Sequence, residues 1–217
     1  MLHAPRLPPD LDELTRTLTP ADAERGARVE DARVLDVDLA GARLDQVELR
    51  RVVFAGGDIS EARLEGGGFT DAVLTQVNLA NLRARHASLL RVELRGCRMT
   101  GLEWADGLWR DVTVRDCRAD LCALRHTRLE RVVFADCLLT EADLVEARLR
   151  EVTLERCSMT GADVRGATFD GCHIRGCRLD GLHGAQRLDG VTMPWPDVVQ
   201  AAGVFATALG VTVAEEA

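Results

Sequence analysis

The sequence contains no lysine and no tyrosine, and only 4% of its residues are aromatic. An ordinary ring-rich globular core is therefore excluded, and something smaller has to fill the interior. All the basic residues are arginine, 27 of them against 35 acids, for a net charge of −8. That balance disfavours direct binding to nucleic acid, which needs a basic stripe. No apolar run approaches the roughly 18 residues of a membrane span, and residues 1–10 lack the basic-then-apolar pattern of a signal sequence. These two absences lead to the expectation of a cytoplasmic protein with no membrane partner. Also missing are Cys-x-x-Cys, Gly-x-Ser-x-Gly, His-Glu-x-x-His and a phosphate-binding glycine loop. No catalytic, cofactor-binding or metal-binding residue is assigned, and the chain reads as a non-enzyme.

What is present is a period of five. From Val29 to Leu179, stepping by five gives 31 positions, and all but Ala84 and Ala119 are Val, Leu, Ile, Met, Phe or Trp. Two residues before each lies a second column, Ala27, Ala32, Val37 and onward to Cys177, in which Thr127 is the only polar member. Residues two apart on extended backbone point the same way, so both columns face inward on a short strand. The remaining three positions of each unit are mostly Arg, Asp, Glu, Thr and Gly, and face water. Cys97, Cys117, Cys137, Cys157 and Cys177 recur every 20 residues. Arg51-Val52-Val53-Phe54-Ala55 returns at Arg131-Val132-Val133-Phe134-Ala135, 80 residues on, and Arg98-Met99-Thr100-Gly101 is echoed 60 on at Ser158-Met159-Thr160-Gly161. Every interval is a multiple of 20, so four units close one square coil.

Inside such a coil, the two tryptophans of the central column need room. Trp104 sits one coil after Ala84, and Trp109 lies across the coil from Ala119, with Gly107 in its own unit. The two gaps in the pattern thus fall where the two largest residues are, which predicts volume compensation within one core.

The Ala-x-Leu or Cys-x-Leu heart of each unit resembles the pentapeptide-repeat family. The resemblance implies an all-β right-handed quadrilateral β-helix of nearly eight coils, about 35–38 Å long at strand spacing. Its domains are an N-terminal helical cap (1–26), the pentapeptide-repeat β-helix (27–181) and a C-terminal strand and helix (182–217). Leu11, Leu14 and Leu18 have helical spacing after Pro8-Pro9 and supply the first cap. At the other end the frame slips after Leu179. Val191 and Met193 form one offset strand, and a helix runs from about Pro196 to Leu209. That helix is apolar nearly all round, so it must be buried, against the last coil or against a second copy. A terminal strand with an apolar helix resembles the dimerisation module of the gyrase-protecting members. Its candidate interface is Val191, Met193, Trp195, Val198, Val199, Ala202, Phe205 and Leu209.

The best-understood branch, the Qnr-type quinolone-resistance proteins and their loop-free relatives, consists of dimeric rods that imitate duplex DNA and bind gyrase or topoisomerase IV. Sorting charges by face gives one acidic side, that of Leu39, Ile59, Leu79 and Met99. It carries Asp38, Asp58, Glu61, Asp120, Glu141 and Asp180 against Arg98, Arg118 and Arg178, a net of −3. Two readings stay open: a DNA mimic that binds a type II topoisomerase and confers drug or toxin resistance, and a scaffold docking another protein on its flat faces. His86 and His126 share an outward column two coils apart, too far for one metal ion, and read as solvated surface.

All seven cysteines occupy the small inward column, where a thiol acts as a small hydrophobe. Native protein should therefore react slowly with a thiol reagent and release seven fast thiols on unfolding. Five fast thiols before unfolding would rule the inward ladder out.

Overall fold

The computed structural model describes residues 3–6, 15–16, 18, 23–212 and 214. Between Ala27 and Leu182 the chain winds as a parallel β-solenoid of about eight turns, with every strand pair in 20-residue register, such as Leu49↔Phe69, Phe69↔Leu89 and Trp109↔Leu129. Two adjacent faces, those of Val29 and Val34, carry the long strands: Arg28–Asp38, Glu48–Asp58, Gly68–Thr75, Ser88–Arg95, Leu108–Arg115 and Arg128–Ala135. The Leu44 face is paired through Arg63–Glu65, Arg83–Arg85 and Glu103–Ala105, and the Leu39 face through single bridges such as Asp58↔Asn78↔Arg98↔Arg118.

Each unit turns its corner on one residue in the left-handed region. Twenty-one non-glycine residues and ten glycines between Asp31 and Gly181 take this conformation at five-residue intervals, with φ of about +48° to +82°. On the Leu39 and Leu44 faces these are type II turns closed by bonds such as Ala42 N–H to Leu39 O, 3.0 Å, and Leu82 N–H to Leu79 O, 3.2 Å. The left-handed residue then points its own N–H along the axis, as Glu61 does to Ala80 O and Leu121 to Thr140 O, both at 2.9 Å. A non-glycine residue costs about 1 kcal/mol or more in this conformation. The axial hydrogen bonds it makes possible are what hold it there.

The two inward columns form one continuous hydrophobic core. Trp104 and Trp109 meet edge to face, with centroids 5.6 Å apart, and Trp109 stacks on Phe134 at 6.1 Å. Ala84 is the direct partner of Trp104 one coil back, so the expected compensation is present. The Trp104 indole N–H donates to Ala87 O at 3.2 Å by passing over Gly107, where an added Cβ would lie 2.4 Å from Nε1. Thr127, the polar member of the small column, donates its hydroxyl to Trp104 O at 2.7 Å. A void of about 10 Å³ remains beside the two indoles, no larger than about one water.

Leu11 and Leu14, expected to build an N-terminal helix, lie outside the described residues. Of that region, Thr15–Arg16 is a strand and not a helix, paired in parallel with Arg33 and Val34. It extends the ladder by one coil edge. Leu18 and Ala23 are buried over the first coil. At the other end, Val191–Thr192 pairs with Cys172–His173 at an offset of 19, the expected slipped strand. The single helix expected over 196–209 is instead two, α1 (Trp195–Gln200) and α2 (Ala202–Ala208), broken at Ala201. Ala201 is buried against the last coil, and the two short helices pivot about it. Asp197 pins α1 by accepting the Gly176 N–H at 2.7 Å.

Gly107→Ala should cost about 2–4 kcal/mol in urea unfolding, since it overpacks the wall and breaks the indole hydrogen bond. Gly203→Ala in α2, where an added Cβ meets nothing within 4 Å, should instead gain about 0.5–1 kcal/mol. Equal effects at the two positions would contradict this packing.

Candidate binding surfaces

Many charged side chains on the rod are tied to a neighbour one coil away. Arg110 donates to Glu130 at 2.7 Å, Arg156 to Asp136 at 2.7 Å and Arg175 to Glu155 at 2.9 Å. The acidic Leu39 face differs. Asp38, Glu61, Glu141 and Asp180 have no ion-pair partner among the described residues, and Asp120 has only Arg118 at 3.8 Å. Asp58 accepts from Ser60 N–H at 2.7 Å and Asn78 Nδ2 at 3.0 Å. Against the opposing effect of its partial burial, these donors and the Arg98 charge hold its carboxyl below the usual range.

The six acids do not form one strip. Asp38 and Asp58 are direct partners on successive coils and Glu61 shares their face, so these three gather near the N-terminal end. Asp120, Glu141 and Asp180 follow farther along, after the bridged Arg98 and Arg118. Asp36 and Asp116, on the adjoining corner, border this face; the sequence reading missed them because it summed charge along faces and gave each corner to the face before it.

A second column went unnoticed for the same reason. At the corner between the Val29 and Val34 faces, stepping by 20 gives Asp31, Arg51, Asp71, Arg91, Asp111 and Arg131, acid and base in strict alternation. Each arginine reaches back to the aspartate one coil before it through two hydrogen bonds: 2.5 and 2.8 Å at Asp31, 2.6 and 2.7 Å at Asp71, and 2.7 and 2.9 Å at Asp111. Over the last two rungs runs the N-terminal segment. Arg6 N–H donates to Asp71 Oδ1 at 2.9 Å, and His3 N–H to Asp111 Oδ1 at 3.3 Å. The aspartate side chains are 11% and 5% exposed there, against 39% at Asp31. Burial pushes the Asp71 and Asp111 carboxyls up. The arginine bonds, the arm's N–H donors and the nearby charges of Arg6 and His3 outweigh it, so both sit below the ordinary range.

The proposed C-terminal interface divides in two. Val191, Met193 and Phe205 pack on the core with Val204 and Ala208 and cap the last coil, and Val198 is half-buried. Trp195 is 76% exposed and Leu209 80%, with Val199, Ala202 and Val211 also exposed. The helix pair is thus not buried all round, as its composition implied, because α1 and α2 lie across the end of the rod and only one side touches it.

The seven cysteines are free and buried. Cys97 N–H donates to Cys117 Sγ at 3.3 Å, and burial pushes the Cys122 thiol up to about 12. Among the described residues no group of His, Cys, Asp and Glu could hold a metal ion, and no helix is long and apolar enough to cross a membrane.

Two family models match this architecture: "Pentapeptide repeats (8 copies)" over residues 36–67 and 69–101, and "Pentapeptide repeat region" over 119–183. The chain belongs to the pentapeptide-repeat family. No curated protein sequence matches it significantly. Among solved structures it is similar to trypsin-treated QnrB1, a plasmid-mediated fluoroquinolone resistance protein, at 21% identity and a TM-score of 0.36, covering 88% of this chain and 91% of that one. It is also similar to HetL, a pentapeptide-repeat protein involved in heterocyst differentiation regulation in the cyanobacterium Nostoc, at 16% identity and a TM-score of 0.34, covering 79% and 91%.

Asp111→Ala should cost about 1.5–3 kcal/mol, because its charged hydrogen bonds are sheltered. Asp31→Ala, in the exposed copy of the same rung, should cost under about 1 kcal/mol. With its folded-state value depressed, Asp111 adds stability above its ordinary range of about 3.9 and loses it as pH falls through the lower folded value. The gap between the two variants in urea midpoints should therefore close in acid. A gap that persists at pH 2 would show the cost is not electrostatic.

Proposed function

We propose that this pentapeptide-repeat protein is a non-enzymatic docking rod that binds another protein through its outer faces. The observation that carries this reading is the selective pairing of charge. Many acids elsewhere on the rod are engaged by arginines of a neighbouring coil, Asp36, Asp45, Asp116 and Asp170 excepted, while among the described residues four acids gather on the one Leu39 face without an ion-pair partner. Unpaired charge on a rigid β-surface is available to an incoming partner at little ordering cost. Two further observations fit. The rod's coils are locked to one another, and the unpaired acids of the Leu39 face lie open to solvent, which keeps catalytic tuning there weak.

A narrower form of the reading is that the Leu39 face imitates DNA toward gyrase or topoisomerase IV and so gives drug resistance, as QnrB1 is a fluoroquinolone resistance protein. The clustering of Asp38, Asp58 and Glu61 favours it, since carboxylates held by strand register present negative charge at fixed spacing. Its experiment is a pull-down against gyrase with a supercoiling assay, with and without a quinolone. The expected result is binding that weakens with salt and falls at least about tenfold, roughly 1.4 kcal/mol, in an Asp38→Arg, Glu61→Arg variant. No effect at micromolar protein ends the topoisomerase reading and leaves the docking rod to be tested against other proteins.

The second copy is the proposed occupant of the exposed apolar surface at Trp195, Val199 and Leu209, giving a homodimer joined end to end. Sedimentation equilibrium should show twice the chain mass of 23.7 kDa, and Trp195→Asp with Leu209→Asp should halve it with the coil signal in circular dichroism intact. A monomeric parent would sink the dimer.

A further inference from the structure

We propose that the corner between the Val29 and Val34 faces is a docking groove for an extended segment of a protein partner, occupied in this chain by its own N-terminal arm. The inference rests on the docking-rod reading and adds a second site, with a device that controls access to it.

The groove is specified by spacing. Asp71 and Asp111 share one column two coils apart, roughly 9.5–10 Å along the axis. Three residues of extended chain, His3 to Arg6, span about 10 Å, and their backbone N–H groups land on those two carboxylates. The residue between the two contacts and next to Arg6 is Pro5, which has no N–H to leave unpaired. Arg91 and Arg131 hold each carboxylate from the other side through two bonds, so the acceptors are aimed before anything binds. Nothing in this recognition reads the arm's side chains in detail. The donors are backbone groups, and His3, Ala4 and Arg6 are exposed while Pro5 is half-buried.

The same facts make the arm exchangeable. Among the described residues, 3–6 are held by two hydrogen bonds and little apolar burial, so their hold depends on being tethered, which raises the local concentration to the millimolar range. A partner segment must supply what the arm supplies: two N–H donors three residues apart on extended chain and, by analogy with Arg6 beside Asp71, positive charge. The rung at Asp31 and Arg51, which neither the His3 nor the Arg6 contact reaches, is more open, its two side chains 39% and 36% exposed.

The test uses a fluorescein-labelled peptide of the sequence of residues 1–9. It is titrated against the full chain, a variant lacking residues 1–6, and that variant carrying Asp71→Ala and Asp111→Ala, each checked for coil content by circular dichroism. Saturable binding is expected to the truncated protein, at least tenfold weaker binding to the full chain, and none to the double variant. Asp31→Ala, at the rung that neither the His3 nor the Arg6 contact reaches, should weaken peptide binding far less than Asp71→Ala or Asp111→Ala. No saturable binding at millimolar truncated protein, or equal binding to all forms, overturns the groove. Hydrogen exchange gives a reading independent of affinity: the His3 and Arg6 amides should be protected in the full chain and lose that protection with Asp71→Ala and Asp111→Ala. Unprotected amides in the parent overturn the proposal, as does a dimer that disappears on truncation, which would make a second copy the occupant. Charge reversal at Asp38 and Glu61, on another face, should not alter peptide binding, so this proposal and the topoisomerase reading can fail separately.

Discussion

The axial hydrogen bond between one coil and the next is the constraint on which everything else depends. Each central residue donates along the rod, as Leu39 does to Asp58 O at 2.8 Å and Leu79 to Arg98 O at 2.7 Å. These bonds can be made all the way round only if every coil has the same number of residues and every corner turns in the same way. Hence the unbroken 20-residue register, and hence one left-handed residue per unit whatever its side chain. Leu121, a poor choice for that conformation, adopts it at φ of 59° while standing 56% exposed. The ladder outweighs local preference at each corner because giving up one turn would leave axial donors and acceptors unpaired on both neighbouring coils.

Register converts sequence into columns, and columns decide what each surface can do. Where acid and base alternate at 20-residue spacing, as from Asp31 to Arg131, the charges cancel in place and become part of the wall. Where Asp58 follows Asp38 with no arginine between, charge stays available. The same logic operates inside. Cysteine repeats in the small column because it fills the volume with little steric demand, and two tryptophans are admitted only beside Ala84 and over Gly107.

The coil was legible in the sequence because its cause is local and repeated 31 times. Four units per turn could be read from Cys97 to Cys177, and the slipped strand at Val191 from the loss of frame after Leu179. The ends were harder, since each occurs once and answers to contacts with the last coil and not to a period. Ala201 breaks the terminal helix by packing inward, and no spacing of apolar residues announces that. The Asp71 and Asp111 groove was readable only in part. The alternating column can be found by stepping 20 from Asp31, but the arm that lies on it comes from the far end of the chain, 108 residues before Asp111. No pattern within the repeat points to residues 3–6.

The quarter-turn made by each pentapeptide has a consequence for how such a rod can change in length. Gaining or losing one unit would rotate every later face by 90° relative to the earlier ones, so Arg131 would no longer lie under Asp111 and the cysteine file would break. Adding or removing four units slides the far end along the axis and leaves every column aligned. The internal echoes at 60 and 80 residues have the spacing of whole coils, as if the chain had been extended by copying complete turns. A rod built this way can be matched to a longer or shorter partner in steps of about 5 Å without redesigning any of its sides.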